Sequence, residues 1–171
     1  MLQMVKLTAV SAILAGTFVP QPTYADDYSG SASCNITAAS VSGSYGVSGQ
    51  GISTKTNAFG VPVGPFAIAG VYTVTINGSY GNTMSGTFSA TISQLDASGY
   101  IPNIQFAGTA VFDRTTCQSD YTVTSFNGEG LPSSFLAFHA IIVDGGKGVR
   151  AISTVDGLVA DYPTITKLSI R

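Results

Sequence analysis

Apolar and polar residues alternate along most of this chain, in runs separated by short turn signals that leave no room for crossover helices. Ile68, Tyr72, Val74 and Ile76 alternate with Ala69, Thr73 and Thr75 up to Asn77-Gly78. Phe88, Ala90 and Ile92 alternate with Ser89, Thr91 and Ser93, and Ile104, Phe106, Ala110 and Phe112 with Gln105, Thr109 and Asp113. A shorter run, Tyr121-Val123-Ser125, stops at Asn127-Gly128. Phe135–Val143 is apolar on both faces and ends at Asp144-Gly145-Gly146. Two closing runs, 148–155 and 158–170, flank Asp156-Gly157, and Pro163 marks an edge or bulge in the last. A period of two places successive side chains on opposite faces of a strand, and Asn-Gly and Asp-Gly suit the positive φ angles of tight hairpins. No stretch after the N-terminus shows a sustained helical period. The expectation is an all-β fold: an antiparallel up-and-down barrel of about eight strands, with a two-sheet sandwich as the alternative.

The N-terminus predicts export. Lys6 precedes the apolar run Leu7–Val19, which is too short for a stable membrane anchor, and Pro20 and Pro22 end it. Thr23-Tyr24-Ala25 places small residues where a signal peptidase would cut. Residues 1–25 are thus expected to be a cleaved signal peptide, and residues 26–171 one β-domain in a periplasm or outside the cell. Charged residues make up only 9% of the chain, yet nine Phe and eight Tyr supply apolar surface for a core. With a formal charge of −2 and scattered Lys and Arg, nucleic acid is not an expected partner.

Cys34 and Cys117 are the two cysteines. In an oxidising compartment such a pair reads as a disulfide rather than as two thiols. Gly43, Gly46, Gly49 and Gly51 crowd one early segment, which reads as a sharply bent first strand or as a loop leading into the fold.

Several segments together carry a resemblance. Cys34, Gly43-Ser44-Tyr45-Gly46, Gly64-Pro65-Phe66-Ala67 with Gly70, Ser85-Gly86-Thr87, Phe106-Ala107-Gly108-Thr109, Cys117 and Ile142-Val143-Asp144-Gly145-Gly146-Lys147 with Arg150 follow one another in order. This series resembles a widespread, largely uncharacterised group of small exported β-proteins whose most specific parts are the GSYG and IVDGGKxxR segments. The resemblance implies export, one domain and paired cysteines, and brings no activity with it. The chain departs from the group's pattern at Tyr80–Asn82, where a longer acidic glycine turn is commoner.

Residues able to carry chemistry are few. His139, the sole histidine, sits in the most apolar run, where it is either a general base facing a barrel lumen or a structural histidine. Asp144–Arg150 gathers Asp144, Lys147 and Arg150 around two glycines, and reads as an anion site or as a hairpin turn with a solvated ion pair. Asp113 and Asp120 flank Cys117 and most simply cap a hairpin near the disulfide. No nucleophile elbow, phosphate loop or metal-ligand spacing is present in the sequence, and nothing in it calls for a cofactor.

Ile68, Tyr72, Phe88, Phe106, Phe112 and His139 are the candidates for lining a ligand cavity. The small residues Ala90, Gly108, Ala110, Ala137 and Ala140 at inner positions leave internal space or let bent strands pack closely. The leading functional expectation is a non-catalytic binding or surface-interaction protein, with a small, partly apolar molecule as its ligand. One alternative is a barrel enzyme of the cyclase or isomerase kind, using His139, Arg150 and Tyr72. The other is a self-associating extracellular structural protein that pairs through exposed strand edges.

Overall fold

A computed structural model describes residues 34–55 and 61–168. The expected signal peptide, residues 1–25, lies outside the described residues. Eight strands form a closed antiparallel barrel, each paired with the next in the chain and the last with the first. They are β1 (Gly43–Ser53), β2 (Gly64–Tyr80), β3 (Thr83–Asp96), β4 (Gly99–Asp113), β5 (Gln118–Phe126), β6 (Glu129–Val143), β7 (Gly148–Ser153) and β8 (Leu158–Lys167). The barrel expectation holds and the sandwich alternative falls. So does the premise of exposed edges, because the free sides of β1 and β8 hydrogen-bond to each other.

β3 shows why this sequence closes. Met84, Phe88, Ala90, Ile92 and Gln94 are buried, whereas Thr83, Ser85, Thr87, Ser89 and Thr91 are exposed. On this strand apolar side chains thus face the interior and hydroxyls face outward. No helix among the described residues is long and apolar enough to cross a membrane.

The β2–β3 hairpin differs from the expectation that the chain turns at Asn77-Gly78. The strands run on to a turn at Gly81, whose φ of 56° lies in the left-handed region, and Asn77 becomes the extra residue of a bulge between Ile76 and Gly78. Register explains this. A two-residue turn at either place sets even-numbered residues of one strand against odd-numbered residues of the other, putting apolar and polar sets on the same face. The bulge shifts the pairing by one, so Val74 meets Phe88 and Tyr72 meets Ala90, all four facing inward.

Asn127 and Gly128 do make the β5–β6 turn, at φ 49° and 83°. Pro163 lies within a bulge of β8 that shifts register against both β1 and β7, as its missing N–H requires. The glycine-rich early segment is a strand, and its Gly49 lies opposite the β8 bulge. One short helix was not expected. In α1 (Ala38–Val41), Thr37 accepts from the Ser40 N–H and Ser40 Oγ accepts from the Thr37 N–H, a reciprocal cap that a four-residue helix shows only faintly in sequence.

Candidate functional site

The two ends of the barrel are built differently. One end is sealed. Cys34 and Cys117 are disulfide-bonded, Cα atoms 5.3 Å apart, tying the segment before α1 to the start of β5. Tyr45 is buried beneath α1, its hydroxyl donating to the Val41 carbonyl at 2.6 Å with the Gly146 carbonyl also in reach at 3.0 Å. Lys167 Nζ donates to the Ser40 carbonyl at 2.7 Å and lies over the Tyr45 ring. Gly146, at φ 99°, packs so closely on α1 that a Cβ there would fall 2.6 Å from the Ser40 oxygen. The GSYG and DGG segments therefore meet at this end, joined through Tyr45.

Tyr72 stacks on Tyr45 with ring centroids 4.9 Å apart, and Tyr121 stands edge-on to Tyr72, Phe88 and Phe112. Tyr72 and Tyr121 form the floor of an apolar cavity of about 50 Å³, against the roughly 10–15 Å³ a single water requires on the same measure. Its walls include Ile68, Phe88, Ala90, Ile92, Phe106 and Phe138. The phenol oxygens of Tyr72 and Tyr121 are covered and lack a hydrogen bond of standard geometry, as does the Ser119 hydroxyl. The rings rather than the hydroxyls meet the cavity. Burial pushes both phenols well above the ordinary tyrosine range, and each lies close enough to influence the ionisation of the other. Burial, with Tyr121 adding, also pushes Tyr45 up to about 12.

A second chamber of similar size continues toward the opposite end and shares Ile68, Ile92, Phe106 and Phe138 with the first. Val61, Phe66, Ile104, Phe126, Leu158 and Gln94 complete its lining. Gln94 is 7% exposed, and its amide Nε2 donates to Asp96 at 2.5 Å. The Ser98 hydroxyl foremost, and then the Gln94 amide and backbone N–H groups, hold the Asp96 carboxyl below the usual carboxylate range.

Of the cavity candidates, Ile68, Tyr72, Phe88 and Phe106 line the inner chamber. Phe112 does not. It is fully buried behind Tyr121, toward the sealed end. His139 is not in the lumen either. β6 alternates Phe138, Ala140 and Ile142 inward, so His139 faces out, and its Nδ1 lies 2.7 Å from Asp120, its partner across the β5–β6 ladder. Their side chains are 36% and 53% exposed, and such a surface pair contributes about 0–1 kcal/mol. Arg150 is exposed on β7 between the inward Val149 and Ala151. A histidine within an apolar run had suggested the lumen because that run contains outward Ile141 and Leu136 as well as inward residues.

Among the small inner residues, Ala90 borders the cavity, whereas Gly108 marks a close strand approach, where a Cβ would lie 1.9 Å from the Thr122 oxygen. Asp144 and Lys147 form a turn closed by the Lys147 N–H on the Asp144 carbonyl, and no ion pair joins their side chains among the described residues. Asp113 caps its hairpin, accepting from the Thr115 and Thr116 N–H groups, which hold its carboxyl below the usual range. No group of three or more metal-ligating side chains occurs among the described residues.

Gln94 was missed in the sequence, though a signal was there. It extends the inward series Phe88-Ala90-Ile92 by one step, and a polar residue at an inward position is the exception to explain. No family model matches this chain, and neither does any curated protein or solved structure.

Proposed function

We propose that this chain is an exported, non-catalytic binding protein that holds a small, largely apolar molecule inside its barrel. The observation that carries this reading is the pair of adjoining chambers walled by aliphatic and aromatic side chains, in a barrel whose opposite end is sealed. Transfer of an apolar molecule from water into such walls is favourable by roughly 25 cal/mol per Å² of surface buried. Outward His139 and Arg150 leave a cyclase or isomerase with only Tyr72 of the three residues first suspected for it, and barrel closure removes the strand edges that favoured self-association. Export is supported by the Cys34–Cys117 bridge, a bond that persists in oxidising compartments, and by the leader-like sequence at 1–25. The likeness of the GSYG and IVDGGKxxR segments to a group of exported β-proteins points the same way.

Native mass spectrometry of the protein purified from its own source tests the binding reading. The expected result is an added mass released on denaturation and absent from Ala90→Trp, in which an indole occupies the inner chamber. A protein that stays bare after equilibration with a lipophilic extract of its source overturns the reading.

A further inference from the structure

Among the described residues, Gln94 is the one polar side chain that lines the outer chamber, on the inward face of β3, and its hydrogen bond to Asp96 orients it. A carboxylate only accepts, so the contact with Asp96 must be made by the Gln94 amide nitrogen. Among the described residues no hydrogen bond reaches the amide oxygen, and the other residues lining the chamber are apolar. Burying an amide oxygen that makes no hydrogen bond is costly, and burying a ligand hydroxyl without an acceptor is costly too. The two groups relieve each other. Among the described residues no cationic side chain lines either chamber to compensate a buried carboxylate, and no carboxylate lines either chamber to hold an ammonium group.

We infer that Gln94 is the polar anchor of the barrel's ligand, and that this ligand is an uncharged alcohol: a compact hydrocarbon body in the inner chamber with a hydroxyl that donates to Gln94 Oε1. The inference rests on the binding reading above and deepens it. Asp96, in turn, is a positioning residue, since its charge fixes which end of the amide is turned away from it.

Titration calorimetry with hexan-1-ol and hexyl methyl ether separates the two claims. The ether keeps an acceptor oxygen and lacks the donor, and it is the easier of the two to remove from water. An apolar chamber without an acceptor therefore prefers the ether, whereas the anchor predicts an alcohol preference of about three- to tenfold. In Gln94→Leu that preference is lost or reversed while ether affinity is kept. Equal binding of both probes, a preference for the ether, or an alcohol preference that survives in Gln94→Leu overturns the anchor and leaves the cavity reading standing. If neither probe binds the unmodified protein, both the anchor and the binding reading fail.

Discussion

The sealed half and the chambered half of this barrel are made from the same eight strands, yet they handle their interiors in opposite ways. In the sealed half, Phe112, Met84, Val74 and Tyr45 are essentially inaccessible, and a helix, a disulfide and a glycine turn close over them. In the chambered half, Phe88, Phe106 and Phe138 contact one another in series, with ring centroids about 6 Å apart, and together with Ile92 they wall the two chambers. Close packing in one half can offset the dispersion contacts forgone in the other. The lesson is a division of labour along the barrel axis, with close packing at one end and internal space at the other.

The largest expected effect breaks the sealed half. The disulfide joins residues 83 apart in sequence, and on the chain-entropy model a loop of that length contributes roughly 4–5 kcal/mol as an upper figure. Reductant should lower the unfolding free energy read from urea titration by up to that order, with free thiols appearing only after treatment. Unchanged stability, or two thiols titrating before reduction, would sink the staple. If the division holds, reduction should loosen α1 before the strands, visible as earlier hydrogen exchange at Ser40 to Ser42 than at Phe88 to Ile92.

The next test compares one substitution in both halves. Phe112→Ala removes a ring from close packing and should cost about 3–5 kcal/mol. Phe106→Ala removes a ring that already borders a cavity on two sides, so fewer contacts are lost, and the cost should be about 3 kcal/mol or less. It also merges the two chambers and should raise affinity for bulkier apolar probes. Equal costs in denaturant titrations, with no gain in binding, would erase the distinction between the halves.

How far each half was legible follows from the same physics. The barrel was readable because β3 and β4 carry strict alternation, which survives any choice of turn. The hairpin at residues 77–83 was misread because dipeptide preference is a local signal, while register must satisfy inward faces on both strands, and a bulge at Asn77 reconciled them. The aromatic lining was legible through Ile68, Tyr72, Phe88 and Phe106. Phe112 was indistinguishable from them, since alternation gives a face but not a height along the axis. His139 was ambiguous because a run apolar on both faces hides which residues point in. The contact of Tyr45 with Gly146 spans 101 residues, and no local pattern announces it.

The smallest effects sharpen the comparison at the boundary between the halves, where Tyr45 and Tyr72 stack. Tyr45→Phe deletes the hydroxyl that serves the Val41 and Gly146 carbonyls and should cost about 1–3 kcal/mol. Tyr72→Phe deletes a hydroxyl that makes no hydrogen bond of standard geometry and reaches only the neighbouring Tyr121 phenol, so its cost at neutral pH should be smaller, about 0–1 kcal/mol. Alkali tests the same pair independently. In the unfolded chain a tyrosine ionises near 10, whereas in the barrel burial raises Tyr45 to about 12 and Tyr72 and Tyr121 above their ordinary value. A raised folded value means that the stabilisation is complete below pH 10 and declines as pH climbs toward the folded values, because the unfolded state gives up its protons first. Denaturant midpoints should therefore hold steady up to about pH 9 and fall beyond pH 10, with phenolate absorbance from the buried tyrosines rising together with unfolding. Removing a buried phenol should make that fall shallower in both variants, while Tyr45→Phe starts from the lower stability at pH 7. If Tyr72→Phe proves as costly as Tyr45→Phe at neutral pH, the Tyr72 hydroxyl is firmly bonded, and the boundary between the sealed and chambered halves lies one layer deeper into the barrel.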